Sequence, residues 1–195
     1  MPKPDLPATT HEVDQLRRMR WRGLVDVFAD LPYPELPEMH GEFRSELLKV
    51  GHPAQVALLS AALRNPLSRW IGKGFRPIDG ETGRGYNAFH RPGRTDGFKY
   101  PMLTRITLSQ FDGKPTFGLI YPAFASPVGA INMIDEVRRY CPNVYLGLGI
   151  CGFTDSQRAI PIPFLLHGPA APYRGDIGTM FSGFDSTERI RAARE

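Results

Sequence analysis

Met102-Leu103-Thr104-Arg105-Ile106-Thr107-Leu108-Ser109-Gln110-Phe111-Asp112-Gly113-Lys114-Pro115-Thr116-Phe117-Gly118-Leu119-Ile120-Tyr121 is the stretch on which the fold turns. Asp112-Gly113 is a turn pair, and the flanking runs alternate, Met102, Thr104, Ile106 and Leu108 before it and Phe117, Leu119 and Tyr121 after it. Period-two alternation on both sides of such a pair predicts a β-hairpin. Residues 144–153 are strand-like too, and Gly147, Gly149 and Gly152 within them mark bends or the close approach of another backbone. From residue 38 onward, short β-rich runs separated by Gly, Pro, Asp and Asn give the pattern of an antiparallel barrel or sandwich.

Residues 9–31 form the exception, because Val13, Leu16, Leu24, Val27, Phe28 and Leu31 recur near helical period behind a Thr9/Glu12 capping box. Pro32, Pro34 and Pro37 then deny the backbone donors that a helix or central strand requires, so a stiff linker follows. A second helix is expected at residues 53–63, opened by Pro53 and faced by Val56, Leu59 and Leu63. The expected organisation is an N-terminal helix and linker over 1–37, a barrel over 38–168, and a lid or tail over 169–195. Trp70-Ile71-Gly72-Lys73-Gly74-Phe75 reads as a strand with Trp70 on the face of Gly72 and Gly74.

The 195 residues, 42% of them hydrophobic, suit one domain with extensions. The longest central apolar run, 56–63, is less than half of the roughly 20 residues a membrane-spanning helix needs. The opening Met-Pro-Lys-Pro-Asp lacks a signal-peptide pattern, which points to a cytoplasmic protein. Cys141 and Cys151 have no metal-ligand spacing. The net charge of +4 comes from scattered arginines and not from a basic stripe, which argues against nucleic acid as a partner. The chain has no Gly-x-Ser-x-Gly, Walker or HExxH motif, and Gly83-Arg84-Gly85 lacks the third glycine of a dinucleotide loop, so no cofactor or metal is called for.

Asp135-Glu136-Val137-Arg138-Arg139-Tyr140 sets four charges between apolar stretches. As a strand it would point Asp135 to one face and Glu136 with Arg138 to the other. As a helix it would have Ser126 as N-cap, Pro127 at the first position, Ile131, Ile134, Val137 and Cys141 on one stripe, and Asp135 one turn before Arg138 and Arg139. The caps favour the helix, with Asp135 and Glu136 over the barrel mouth or against its wall.

Glu38-Met39-His40-Gly41-Glu42-Phe43, Gly51-His52-Pro53 and Trp70-Ile71-Gly72-Lys73-Gly74-Phe75 resemble, in order and spacing, the bacterial GxWxG-type proteins. The likeness continues through Pro101-Met102-Leu103-Thr104-Arg105, Leu119-Ile120-Tyr121-Pro122 and Val144-Tyr145-Leu146-Gly147, covering residues 38–167. Phe43 stands where the name-giving Trp of the first motif would be. The resemblance implies a mainly β, lipocalin-like antiparallel barrel with an N-terminal helix and one or two short inserted helices. That outline is shared with fatty-acid binders and haem-binding nitrobindins, and it transfers architecture only.

Within such a barrel the expected function is binding of a small apolar, aromatic or carboxylate-bearing molecule. Trp70, Phe117, Tyr121 and Tyr145 would line the interior, and Arg105 or Arg138 would anchor the carboxylate. One alternative is a cofactor-independent lyase, isomerase or cyclase, with His167 or His90 as proton shuttle and Asp135 or Glu136 as its partner, since each histidine ends an apolar run. A second is a haem-binding barrel with a histidine as axial ligand. The turn-rich tail, carrying Met180, Phe181 and Phe184, would close the mouth or dock on a second copy in a homodimer.

Overall fold

The computed structural model describes residues 10–48, 50, 64–65, 68–125, 133–151 and 159–185. The first elements are two nine-residue helices, α1 (Thr10–Arg18) and α2 (Trp21–Ala29). The single helix expected over 9–31 is therefore broken at Met19-Arg20. Leu16 stays on the buried face of α1, and Leu24, Val27 and Phe28 on that of α2.

Among the described residues nine strands follow: β1 (Gly41–Leu47), β2 (Arg64–Asn65), β3 (Ser68–Pro77), β4 (Thr82–His90), β5 (Gly97–Leu108), β6 (Pro115–Ile120), β7 (Met133–Cys141), β8 (Val144–Cys151) and β9 (Ile162–Ala171). They pair antiparallel in the order β1-β9-β8-β7-β6-β5-β4-β3-β2, and β1 also pairs with β3. That last ladder closes eight strands into a barrel and leaves the two-residue β2 outside the ring. Closure removes the exposed edges an open sheet would carry.

The Asp112-Gly113 hairpin forms as expected: β5 and β6 pair Ile106 with Phe117 and Leu103 with Ile120, and Gly113 has a φ of 69°. β8 covers residues 144–151 of the strand-like run expected at 144–153. Gly147 on β8 is required by packing, since a Cβ there would lie 2.2 Å from the Phe164 ring.

The charged hexapeptide is strand and not helix. β7 pairs on both sides, Asp135 with Leu119 of β6 and with Gly149 of β8. The caps that argued for a helix, Ser126 and Pro127, lie outside the described residues, as does the helix expected at 53–63. Two ladders of backbone hydrogen bonds and an ion-pair partner on each face outweigh the local helical signals.

The interior holds Phe43, Phe75, Met102, Phe117, Leu119, Tyr145 and Phe164. Leu36 and Met39, just before β1, pack onto this group at the end where β1 begins and β3 finishes. A second apolar layer lies outside the wall, where Leu16, Leu24 and Phe28 of the helices cover Leu146, Leu148 and Leu165. Among the described residues no helix is long and apolar enough to cross a membrane.

β9 extends to Ala171, and residues 172–185 then cross the outside of the barrel. Phe181 N donates to Ala123 O, and Phe184 packs with Leu103, Ile120 and Phe124. Asp176 ties this strap down, 2.8 Å from Arg76 and 3.6 Å from Arg84. The Arg76 hydrogen bond holds the Asp176 carboxyl below its ordinary 3.8. A carboxylate lowered by folding contributes stability that is complete above its unfolded value and lost as pH falls through the folded one. Acidification below 3.8 is therefore expected to raise hydrogen exchange in residues 172–185 before the barrel strands open, after correction for intrinsic rates. Loss of protection in strap and barrel together would contradict this.

Candidate functional site

β3 carries the centre of the site. A β-bulge between Trp70 and Gly72 shifts the strand's phase, so Trp70 falls on the inner face with Lys73 and Phe75. This corrects the expectation that Trp70 shares a face with Gly72 and Gly74. Those glycines sit where the wall is crowded: a Cβ at Gly72 would lie 2.2 Å from Phe43 O, and one at Gly74 would lie 2.6 Å from the Tyr86 ring.

Lys73 is 3% exposed and donates to three acceptors: Asp135 Oδ2 at 2.9 Å, Asn87 Oδ1 at 3.0 Å and Tyr121 OH. Tyr121 OH donates to Asp135 Oδ2 at 3.1 Å and accepts from Asn87 Nδ2 at 3.1 Å. Trp70 Nε1 completes the chain by donating to Asn87 Oδ1 at 3.0 Å. Trp70, Tyr121 and Phe164 surround the Lys73 Nζ at 5.4, 5.2 and 5.1 Å from their ring centroids, close enough for cation-π attraction.

The electrostatics of this centre are those of a buried pair. Burial pulls the Lys73 ammonium below its ordinary value of 10.5, and Asp135 opposes that pull. Burial pushes the Tyr121 hydroxyl well above 10.0, so it serves as a neutral donor and acceptor. One buried acceptor is unused: Asp135 Oδ1 has no hydrogen-bond partner. A Cβ at Gly149 would stand 3.3 Å from that oxygen.

The second part of the site is a cleft at the seam. β1 and β3 pair from Gly41–Phe75 to Arg44–Gly72 and then part, β1 continuing against β9 and the start of β3 against β4. At the parting lies a cleft of about 620 Å³, lined among others by Arg44, Ser45, Arg69, Trp70, Ile71 and Arg174. Arg174 is bound by Glu42 through two 2.8 Å hydrogen bonds. Arg44 and Arg69 are exposed, and neither pairs with a carboxylate among the described residues. Ser45 Oγ is buried and without a partner. Trp70 belongs to both parts, lining the cleft and reaching the interior network.

Of the residues singled out by sequence, Trp70, Tyr121 and Asp135 meet in this network. Phe117 and Tyr145 lie deeper in the aromatic interior. Phe117 packs edge-on against Phe75 at 5.5 Å, and the Tyr145 hydroxyl donates to Glu38 Oε1 at 3.4 Å. The others lie elsewhere. Arg138, expected to anchor a carboxylate inside, points out of the barrel and is locked under α2 by Asp112 and by the Phe28 carbonyl. Glu136 is on the same outer face, accepting from Gln110 N at 2.8 Å. Arg105 shares the outer face of β5 with Leu103, away from Met102 and Ile106.

His167 is also outside the wall, 3.9 Å from Glu46, and burial lowers its proton affinity. His90 is exposed at the end of β4, 3.0 Å from Asp96. Neither histidine faces Asp135, so the expected His–Asp shuttle is not assembled, and neither lies in the barrel interior.

Sequence reasoning passed over Lys73 and Asn87. Lys73 had a signal: a lone cation two residues before Phe75, at an interior position of a strand. Asn87 had none.

The fold and site together define a closed eight-strand antiparallel barrel with a buried polar centre and, at its seam, a cleft that shares Trp70 with it. No family model and no curated protein matches the chain. A solved structure of a protein from Thermomonospora curvata is similar, with a TM-score of 0.56 and 15% sequence identity over 80% of this chain and 93% of that one. The likeness extends to the fold alone.

Proposed function

We propose that this barrel binds a small apolar, aromatic molecule carrying an anionic group, in the cleft between β1 and β3. The observation that carries this reading is the cleft of about 620 Å³ with Trp70, Arg44 and Arg69 in its lining. Its volume suits a ligand of drug-like size, and such sites pair an apolar wall with a few placed polar groups. Two exposed guanidiniums without carboxylate partners among the described residues suit a carboxylate, which they bind through paired hydrogen bonds. In this reading Arg44 and Arg69 take the anchoring role first expected of Arg105 and Arg138. The closed barrel is compatible with a ligand-binding cavity.

Isothermal titration with 2-naphthoate tests the proposal. The wild type is expected to bind, and Arg44→Ala and Arg69→Ala are each expected to weaken binding about five- to tenfold, in keeping with one charged contact. The neutral 2-naphthamide is expected to bind the three proteins alike. Equal naphthoate affinity in the wild type and both variants would remove the arginines from the site, and no binding would remove the cleft.

A further inference from the structure

The network behind Trp70 is more than the binding of an apolar anion requires. The chain has five lysines, Lys3, Lys49, Lys73, Lys99 and Lys114, and otherwise uses arginine for its positive charge. The cation in the barrel interior is nevertheless lysine. Arginine forms the better buried ion pair, and lysine alone of the two can lose its proton and attack an electrophile. Lys73 is held against an acid, Asp135, and a hydroxyl, Tyr121, within hydrogen-bond reach. Asp135 Oδ1, buried at 2% exposure, still has an acceptor site for a third party.

We propose that Lys73 is a nucleophile that captures an aldehyde or ketone as an imine. The proposal rests on the cleft reading, because the carbonyl compound is the cleft's ligand class, an aromatic molecule with an anionic group. Lys73 first passes a proton to Asp135 Oδ2, 2.9 Å away. The freed amine forms the N–C bond while the carbonyl π pair moves to oxygen, which takes that proton back from Asp135. The nitrogen then loses a proton to Asp135, the C–O bond breaks, and Asp135 protonates the departing hydroxyl, which leaves as water. The sum is ammonium plus carbonyl giving iminium plus water, with no oxidant or reductant. Asp135 ends as the carboxylate it began as, facing a cation inside the same three rings, Trp70, Tyr121 and Phe164. Burial of Lys73 keeps the amine form accessible, because the charged ammonium is penalised there.

The probe is 6-formyl-2-naphthoic acid, trapped with sodium cyanoborohydride and located by peptide mapping of the intact protein. The expected result is an adduct mainly at Lys73, suppressed by excess 2-naphthoate, with Lys99 and Lys114 modified at least tenfold less. Lys73→Arg, which keeps the charge, is expected to lose the adduct that 2-naphthoate suppresses. Asp135→Asn is expected to slow trapping at Lys73 at least tenfold and to alter its pH profile. Naphthoate binding with adducts confined to other lysines would overturn the imine chemistry and leave the cleft reading standing. Trapping at Lys73 that 2-naphthoate fails to suppress would overturn entry through the cleft. The wild-type map decides the matter even where a variant folds poorly.

Discussion

Asp135→Ala is expected to destabilise the protein by about 3–5 kcal/mol, the usual cost of removing one partner of a buried ion pair. The loss exceeds that of a hydrogen bond because Lys73 is left as a buried cation without its counter-charge, 3% exposed and facing three aromatic rings. Tyr121 loses its acceptor at the same stroke. Replacing the pair together, as in Lys73→Met with Asp135→Leu, is expected to recover most of the loss, since a well-packed apolar pair removes both desolvation penalties. Urea denaturation of the two single variants and the double variant gives the comparison. If Asp135→Ala costs less than 1 kcal/mol, Lys73 is not held by Asp135.

The same variant has a signed pH dependence. Burial lowers Lys73 in the folded state below 10.5, so between the folded value and 10.5 the unfolded chain binds more protons and stability rises with pH. Removing Asp135 removes the charge that opposes this lowering. The window therefore widens downward in Asp135→Ala, whose stability is expected to begin rising at lower pH than that of the wild type.

Arg138→Ala is the second large effect, again about 3–5 kcal/mol. The guanidinium is fully buried outside the barrel wall and bidentate to Asp112 at 2.6 and 2.8 Å. It also donates to Phe28 O at 2.9 Å, Pro115 O at 3.1 Å and Lys114 O at 3.1 Å, and lies 4.6 Å from the centroid of the Phe28 ring. Those contacts join α2 to the β5–β6 turn, so hydrogen exchange in α2 and around Asp112 is expected to rise more than in β3 and β4. Arg138→Lys keeps the charge but not the planar fork and is expected to recover only part of the loss. Equal deprotection of all strands would mean that Arg138 supports the barrel generally and does not dock the helix.

These two residues also show why the charged hexapeptide misleads when read alone. Asp135 and Arg138 lie on opposite faces of β7, and each is satisfied by a partner distant in sequence, Lys73 and Asp112. Local spacing registers Asp135 and Arg138 as a helical pair, because their true partners come only with closure of the sheet. The β5–β6 hairpin was legible because its signal is local, a turn pair between two alternating runs. Trp70 was legible as a site residue but not as an inner-face neighbour of Lys73, since the bulge that reverses its phase has no signature in the side chains. The cleft was illegible for a topological reason: Arg44 and Arg69 meet only where β1 and β3 pair and then part, and that ladder joins opposite ends of the sheet.

Ligand entry at the seam beside Trp70 has a direct readout in the indole N–H resonances. The chain has two tryptophans, Trp21 on α2 and Trp70 at the cleft. Titration of ¹⁵N-labelled protein with 2-naphthoate is expected to shift the Trp70 indole cross-peak saturably and leave that of Trp21 in place. A Trp70 resonance that stays fixed while naphthoate binds would contradict the account.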